Sequence, residues 1–303
     1  MRKEEFEVVS DYDGLVLKGT AFVPDEEAKG IVQFVHGMCE CRERYFEFCE
    51  FLAANGYVAA VHDQRGHGDS VLSKEDYGYM WDTKATAIVE DAAKVTLTLK
   101  EKFPNLPVCL FGHSMGSMVV RCYLHKHDDL IDKLIVCGSP SNNPLAGVAV
   151  LLTKAIALFK GDRHRSKLLS NLSTGKADEN FPGEPKGCWL SHDRETVDRY
   201  YKSEKCGFRF TCNGYENLFR LMQGSYDVNR YEVKNPTLPI HFISGSDDAV
   251  LGSEDKWLDA QNTLRRAGYE NVSGKLYQGM RHEVHNEIGR EEVYWDVIGF
   301  LQK

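Results

Sequence analysis

The sequence predicts an α/β fold: a mostly parallel, doubly wound sheet that carries an inserted helical cap. Short apolar segments with β propensity end in glycine-rich or polar turns and are followed by segments of helical pattern, which is typical of βαβ units. This alternation stops near residue 139 and resumes near residue 231. A long segment without sheet pattern therefore separates two parts of one sheet.

Seven segments predict strands, and the last five or six are compact and apolar, as expected of parallel strands covered on both faces. They span residues 15–22, 31–35, 58–62, 108–111, 134–137, 240–244 and 274–277. Helical patterns fall between them, at 45–55, 83–103, 115–125, 254–267 and 291–302. A chain of 303 residues is long enough for one large α/β domain with an insertion, or for two ordinary domains.

The interruption is predicted to form a cap over the carboxyl ends of the strands, where open α/β sheets bind ligands. It begins with an apolar helical stretch at 143–160 that includes Leu151 and Phe159. A polar loop and a segment rich in aromatic residues follow. The apolar stretch at 143–160 either lines a ligand pocket or packs on the core. We expect residues 1–138 and 231–303 to form the core and residues 139–230 to form the cap.

Composition and charge exclude several classes of function. The formal net charge is -8 with basic and acidic residues interspersed, so neither nucleic acid nor an anionic lipid surface is favoured. The N-terminal segment lacks the apolar stretch of a signal peptide, and no apolar run reaches the length of a membrane span.

Nine cysteines in mostly apolar contexts favour reduced thiols and a cytoplasmic location. Cys39 and Cys41 form a C-x-C without a second pair at zinc spacing, so no metal site is expected.

Ser114 lies at the centre of a G-x-S-x-G motif, between a predicted strand and a predicted helix. So tight a turn forces its central residue into a strained backbone conformation and presents the hydroxyl at the sheet edge. Glycines at 112 and 116 avoid the crowding that a Cβ would cause there. Because a serine hydroxyl is a weak nucleophile at neutral pH, this geometry suits a serine with a partnered base.

Candidate partners for Ser114 follow later strands. An acyl-transfer serine requires a base, a residue that orients the base, and donors for the oxyanion. The turn after 240–244 contains Asp247 and Asp248, and the turn after 274–277 contains His282. The order Ser, Asp, His is one of the known chain orders of such a triad. The pattern alone does not choose between the two adjacent aspartates.

Oxyanion donors are expected at two turns. Met38 follows an apolar strand and a His-Gly pair, and its N–H is placed to meet the N–H of Met115, the residue after the serine. His36 is expected to orient this loop by hydrogen bonding rather than to act as a base. No P-loop lysine follows the glycine-rich turn at 62–70, so this turn is not expected to cradle a phosphate.

Five strings, in this order, resemble the monoacylglycerol lipase and lysophospholipase branch of the α/β-hydrolase superfamily, sometimes grouped as serine aminopeptidase-like hydrolases. They are VHGMCECRERY, HDQRGHGDS, FGHSMGS, ISGSDDAV and GMRHEVHNE. The resemblance covers roughly residues 14–138 and 236–302. It implies the α/β-hydrolase fold, with Ser114 as nucleophile, Asp248 rather than Asp247 as the acid, and His282 rather than His285 as the base.

The same resemblance implies that Met38 and Met115 supply the oxyanion donors. Two positions depart from the pattern. Ser117 stands where a further glycine is common, and Met38 stands where a smaller residue is common, which would narrow the acyl entrance. The departure at Met38 bears on the substrate more than on the mechanism.

The resemblance implies a serine hydrolase that cleaves carboxylic esters through an acyl-enzyme, without cofactor or metal. The apolar cap favours a small-molecule acyl ester of monoacylglycerol or lysophospholipid type, with Leu151 and Phe159 contacting the acyl chain. A transient contact of the cap with a membrane surface is also expected, and the oligomeric state stays open.

Three alternatives keep the same fold. A small-ester or thioester hydrolase would use the same triad. A proline-type aminopeptidase would need acidic groups for the free amine, and the cap offers Asp178, Glu179 and Glu184 in no recognisable pattern. A catalytically inactive binding module is disfavoured by the intact Ser-Asp-His set. Dehalogenases and epoxide hydrolases of this fold carry aspartate in place of Ser114 and are excluded.

Overall fold

The computed structural model describes residues 1–303 and contains one eight-stranded sheet. Its strands are β1 (Arg2–Val9), β2 (Val16–Val23), β3 (Ile31–Val35), β4 (Val58–His62), β5 (Val108–His113), β6 (Lys133–Cys137), β7 (Ile240–Gly245) and β8 (Val272–Tyr277). Their spatial order is β1-β2-β4-β3-β5-β6-β7-β8. Strands β3 to β8 are parallel, whereas β2 runs antiparallel to both β1 and β4. The predicted mostly parallel α/β sheet is confirmed.

Nine α-helices accompany the sheet: α1 (Phe46–Ala54), α2 (Thr86–Lys102), α3 (Met115–Tyr123), α4 (Ala146–Lys160), α5 (Lys167–Leu172), α6 (Arg194–Lys202), α7 (Cys212–Tyr226), α8 (Glu254–Ala267) and α9 (Arg290–Leu301). The larger core packs one face of the sheet against α2, α3 and α8, and the smaller core packs the other face against α1 and α9. Alternation along a strand feeds both cores, since Leu110 of β5 joins the larger and Phe111 the smaller.

The N-terminal strand β1 was not predicted. It pairs along its whole length with β2 at the edge of the sheet, where Phe6 and Val8 turn inward and Glu5 and Glu7 stay exposed. The period-2 pattern was therefore present, but charged residues outnumber apolar ones in this segment and masked it. Charges on an edge strand also discourage pairing with other chains.

The segment between β6 and β7 contains α4, α5, α6 and α7. Helix α7 packs against α3, the helix that follows Ser114, and α4 packs on α7. The predicted helix at 143–160 is thus confirmed, with three more helices after it. The exact division into core and cap at residues 139 and 230 stays a prediction.

The prediction that Leu151 and Phe159 contact the ligand is wrong. Both side chains point outward from α4 and are exposed, 68% and 85% respectively. The inward face of α4 is formed instead by Ala149, Val150 and Thr153. Because α4 is apolar on both faces, its periodicity did not reveal which face turns inward.

Among all the helices, not one combines the length and the apolar character that crossing a bilayer requires.

Candidate active site

Ser114 occupies a sharp turn between β5 and α3, with backbone angles φ 54° and ψ -116°. A side chain at Gly116 would overlap the carbonyl oxygens of Val35 and His36, and one at Gly112 would overlap the backbone of Gly116. These close approaches explain the two glycines of the motif. The strained φ is held by its surroundings, since the Ser114 N–H donates to the carbonyl of Cys137 at 2.9 Å.

The structure brings Ser114, His282 and Asp248 into one hydrogen-bonded chain. His282 Nε2 lies 2.9 Å from Ser114 Oγ, and His282 Nδ1 lies 3.0 Å from both carboxylate oxygens of Asp248. The three residues sit at the ends of β5, β7 and β8, which meet at the carboxyl edge of the sheet. A serine, a base and an orienting carboxylate in this geometry match the requirements for nucleophilic acyl transfer.

The structure distinguishes the two adjacent aspartates. Asp248 is buried and accepts hydrogen bonds from Ser244 Oγ at 3.1 Å and from the Val250 N–H at 2.8 Å. Asp247 is exposed and accepts only from Ser246. Burial opposes ionisation of Asp248, but the positive charge and hydrogen bond of His282 outweigh it and lower the Asp248 pKa. Of the two aspartates, Asp248 is therefore the one placed to orient the imidazole.

Charge around His282 favours its protonated form. Burial alone would lower the pKa of this imidazole, but the Asp248 carboxylate, followed by Glu283 and Glu40, raises it above the ordinary value of 6.5. From the cap, the Trp189 ring covers the imidazole with a centroid separation of 5.1 Å. The base thus lies in a site shielded from water, where an imidazolium would be stabilised.

Two backbone N–H groups beside Ser114 are free to bind an oxyanion. Met115 is the first residue of α3, where helical N–H groups have no partner within the helix, and the N–H of Met38 also donates to no protein acceptor. The loop that carries Met38 is fixed by Glu40, which accepts from the Gly37 N–H, and by His36, which accepts from the Gln64 N–H at 3.0 Å. His36 orients the loop, as predicted.

Two cavities of opposite character meet at Ser114 and Met38. The apolar cavity, about 280 Å³, is lined by Met118, Leu172, Leu218, Phe219, Met222 and Val250, among others. The polar cavity, about 260 Å³, is lined by Glu40, Arg44, Asp178, Trp189, Tyr200 and Glu283, among others. Met38, Ser114 and Thr174 line both cavities.

A buried ion network in the wall of the polar cavity was missed by the sequence analysis. Arg44 donates to Glu40 at 2.6 Å and to Glu283 at 2.7 Å, and its guanidinium faces the Tyr200 ring at 4.9 Å. Despite burial, which favours the neutral acid, Arg44 holds the Glu40 pKa well below its ordinary value. Glu283 follows the base directly, so the network joins the oxyanion loop to the turn of His282. Arg44 and Glu283 are separated by 239 positions in the chain, so no short sequence window contains a pattern that predicts their contact.

His285, His113 and Cys137 form a buried group next to the triad, with ligand atoms within 4.8 Å of one another. Burial lowers the His285 pKa well below 6.5 and raises the Cys137 thiol pKa well above its usual range. His285 stacks on Tyr45 and does not reach Ser114. The expectation that no metal binds stays a prediction.

Comparison with known proteins shows the family of the chain. A family model described as Serine aminopeptidase, S33, matches residues 26–289. The chain belongs to this family of α/β-hydrolases. A monoacylglycerol lipase from Mycolicibacterium smegmatis is 25% identical over 280 residues, 92% of this chain and 90% of that protein. The human monoglyceride lipase is 25% identical over 284 residues, 91% of this chain and 82% of that protein.

Solved structures of the superfamily are also similar. A thermostable carboxyl esterase from Bacillus coagulans, in complex with glycerol, superposes with a TM-score of 0.87 at 28% identity and covers 100% of this chain and 98% of that one. A monoglyceride lipase from Saccharomyces cerevisiae superposes with a TM-score of 0.74 at 19% identity, covering 100% and 96%, and supports the fold. Within the family, the protein is therefore a carboxylic ester hydrolase of the monoacylglycerol lipase branch.

Proposed function

We propose that the protein hydrolyses monoacylglycerols through an acyl-enzyme on Ser114. The observation that carries this proposal is the meeting of an apolar and a polar cavity at the serine. A monoacylglycerol has the same division, since an acyl chain and a polyol join at the ester bond. The apolar cavity takes the acyl chain and the polar cavity takes the leaving alcohol.

In the proposed mechanism Ser114 Oγ attacks the ester carbonyl carbon while its proton passes to His282 Nε2. The N–H groups of Met38 and Met115 stabilise the oxyanion of the tetrahedral intermediate. Collapse breaks the bond to the alcohol, which leaves with the proton from His282. Water then repeats the sequence on the acyl-enzyme and releases the fatty acid. Asp248 holds the imidazole tautomer and stabilises the imidazolium throughout.

The aminopeptidase alternative lacks a free acid for an amine. Glu40 and Glu283 already pair with Arg44, and Asp178 accepts from the backbone N–H groups of Gly187 and Trp189. An α-ammonium would compete with these existing partners for the same carboxylates.

A lysophospholipid is the second candidate substrate. Lys186 and Arg209 line the polar cavity. These two cations offer a phosphate contact that the neutralised Arg44 does not. A substrate panel decides between the candidates: kcat/KM is measured for monoacylglycerols, lysophosphatidylcholine, acyl thioesters and aminoacyl amides of matched length. The proposal expects monoacylglycerols to have the highest kcat/KM, and a higher value for lysophosphatidylcholine, acyl thioesters or aminoacyl amides would contradict it.

The predicted membrane contact is also proposed, at the outer face of α4. Its exposed apolar side chains are Val148, Leu151, Leu158 and Phe159, and the exposed Leu145 lies just before the helix. Residues 143–176 contain six Lys and Arg and one acidic residue, in a chain of net charge -8. This local excess of positive charge supports a contact with anionic lipid that the whole-chain charge does not favour.

Vesicle co-sedimentation tests this contact. Leu158→Ser combined with Phe159→Ser should reduce binding to anionic vesicles and leave hydrolysis of soluble esters unchanged. Ile288→Ser is the matched control, because Ile288 is 65% exposed but lies outside the cap. Equal binding of all three proteins would contradict a role for α4.

A further inference from the structure

Two thiols lie where the cap meets the loop that carries Met38. Cys41 belongs to this loop and Cys206 to the cap segment between α6 and α7. Their Sγ atoms are 3.6 Å apart, although 165 residues separate them in the chain. A disulfide bond measures about 2.05 Å, so the sulfurs need to approach by roughly 1.5 Å.

The backbone on both sides of the pair is already held in register. The Gly207 N–H donates to the carbonyl of Cys39 at 2.9 Å. Lys205 forms ion pairs with Glu43 at 2.7 Å and with Asp69 at 2.8 Å. These contacts flank the two thiols and keep them together without a covalent bond.

The pair is also set up for oxidation. A hydrogen bond from Cys41, and then the positive charge of Arg44, lower the Cys206 pKa despite burial, whereas the Cys41 pKa is raised. The nearby Arg44 guanidinium therefore favours the thiolate at Cys206, which is the form that attacks an oxidant. A surface cleft of about 340 Å³ is lined by both cysteines and gives a small oxidant access to them.

We propose that Cys41 and Cys206 form a peroxide-sensitive disulfide that fastens the cap to the oxyanion loop. The Cys206 thiolate attacks one oxygen of hydrogen peroxide and breaks the O–O bond, giving a sulfenic acid and, after proton transfer, water. The Cys41 sulfur then attacks the sulfenic sulfur and displaces the hydroxyl as a second water. Two thiols lose two electrons and one peroxide gains them.

The bond would act on the wall of the polar cavity. The segment after Cys206 supplies Gly207, Phe208 and Arg209 to this cavity, and the segment before Cys41 supplies Cys39. With the two segments joined, the cap can no longer separate from the core along this edge. Oxidation should therefore slow the turnover of long-chain substrates several-fold and raise the Tm by about 5–10 °C, the range expected for a disulfide in a domain of this size.

Thiol counting and peptide mapping test the bond itself. After treatment with hydrogen peroxide and alkylation under denaturing conditions, the free thiols should fall from nine to seven. Mass spectrometry of the unreduced digest should show a peptide linking Cys41 to Cys206, which dithiothreitol removes. The same treatment of Cys206→Ser should give no such loss, and Cys41→Ser should accumulate a sulfenic acid at Cys206 that dimedone traps.

Cys49→Ser is the matched control, because Cys49 is also buried but lies on α1, within the smaller core and away from the pair. It should behave as the unaltered protein does. Absence of the linked peptide, or an unchanged thiol count in the unaltered protein, would overturn the inference.

The disulfide test does not depend on the proposed function, whereas the turnover readout rests on it. Labelling of Ser114 by a small fluorophosphonate should persist after oxidation. A linked peptide that forms with no change in Tm or long-chain turnover would refute the fastening role. Loss of fluorophosphonate labelling after oxidation would refute it as well, since the triad itself would then be altered.

Discussion

Replacing Met222 with glutamine should flatten the dependence of kcat/KM on acyl chain length. Met222 lines the apolar cavity of about 280 Å³. At roughly 30 Å³ for each water-sized group, this volume has room for about nine methylene or methyl groups of an acyl chain. Each buried methylene contributes about 0.8 kcal/mol, so efficiency should rise about fourfold per carbon until the cavity is full, near octanoyl. A glutamine amide left unpaired against the chain costs about 1–3 kcal/mol, or about 5- to 150-fold on octanoyl glycerol.

The assay is steady-state hydrolysis of glycerol esters from acetyl to dodecanoyl, below their critical micelle concentrations. Acetyl esters place a single methyl group in the cavity, so their hydrolysis should change little in Met222→Gln. Leu151→Gln is the matched control, since Leu151 lies on the outer face of α4 and should leave the slope intact. A slope lost in Leu151→Gln and kept in Met222→Gln would refute this assignment of the acyl cavity.

Three further predictions concern the triad and its surroundings. Asp248→Asn should lower kcat by about 10⁴ while Asp247→Asn has a mild effect, and a reversed ranking in steady-state assays would reassign the acid. Because the His282 pKa is raised and the neutral imidazole is the base, the acidic limb of kcat/KM should lie above pH 6.5, and Glu283→Gln should move it to lower pH. An acidic limb unmoved by Glu283→Gln would contradict that origin. His285, whose pKa is lowered by burial, stays neutral in the fold while the unfolded chain takes up a proton, so unfolding free energy should fall with decreasing pH below about 6.5 and fall less in His285→Phe. If chemical denaturation gave the same pH dependence of the unfolding free energy for the unaltered protein and for His285→Phe, this prediction would be contradicted.

The triad was predictable because strand ends are local features. Each of the three residues lies one to five positions after the end of a strand, and the carboxyl ends of parallel strands meet at one sheet edge. The choice of Asp248 over Asp247 came from the resemblance to a known family. The two aspartates are adjacent and follow the same strand, so the sequence pattern alone does not separate them. The structure supplies the physical reason, which is that only Asp248 is buried against the imidazole.

The cap was less predictable. Its first helix is apolar on both faces. The sequence pattern therefore predicted the helix but not that Leu151 and Phe159 face outward. The Arg44 network and the contact between Cys41 and Cys206 join residues far apart in the chain and leave no pattern in any window. Such features depend on how the cap docks, which is a tertiary property.

The central claim is that catalysis passes through an acyl-enzyme on Ser114. Intact-mass analysis of the protein during turnover tests it most directly. A slowly hydrolysed p-nitrophenyl ester of octanoic acid is mixed with the enzyme and quenched in acid within the first turnover. The account predicts a mass increase of one octanoyl group, mapped to the peptide containing Ser114, with a matching burst of p-nitrophenol. Ser114→Ala should show neither the adduct nor the burst. Full turnover by Ser114→Ala, or an acyl group on another residue, would contradict the proposed mechanism.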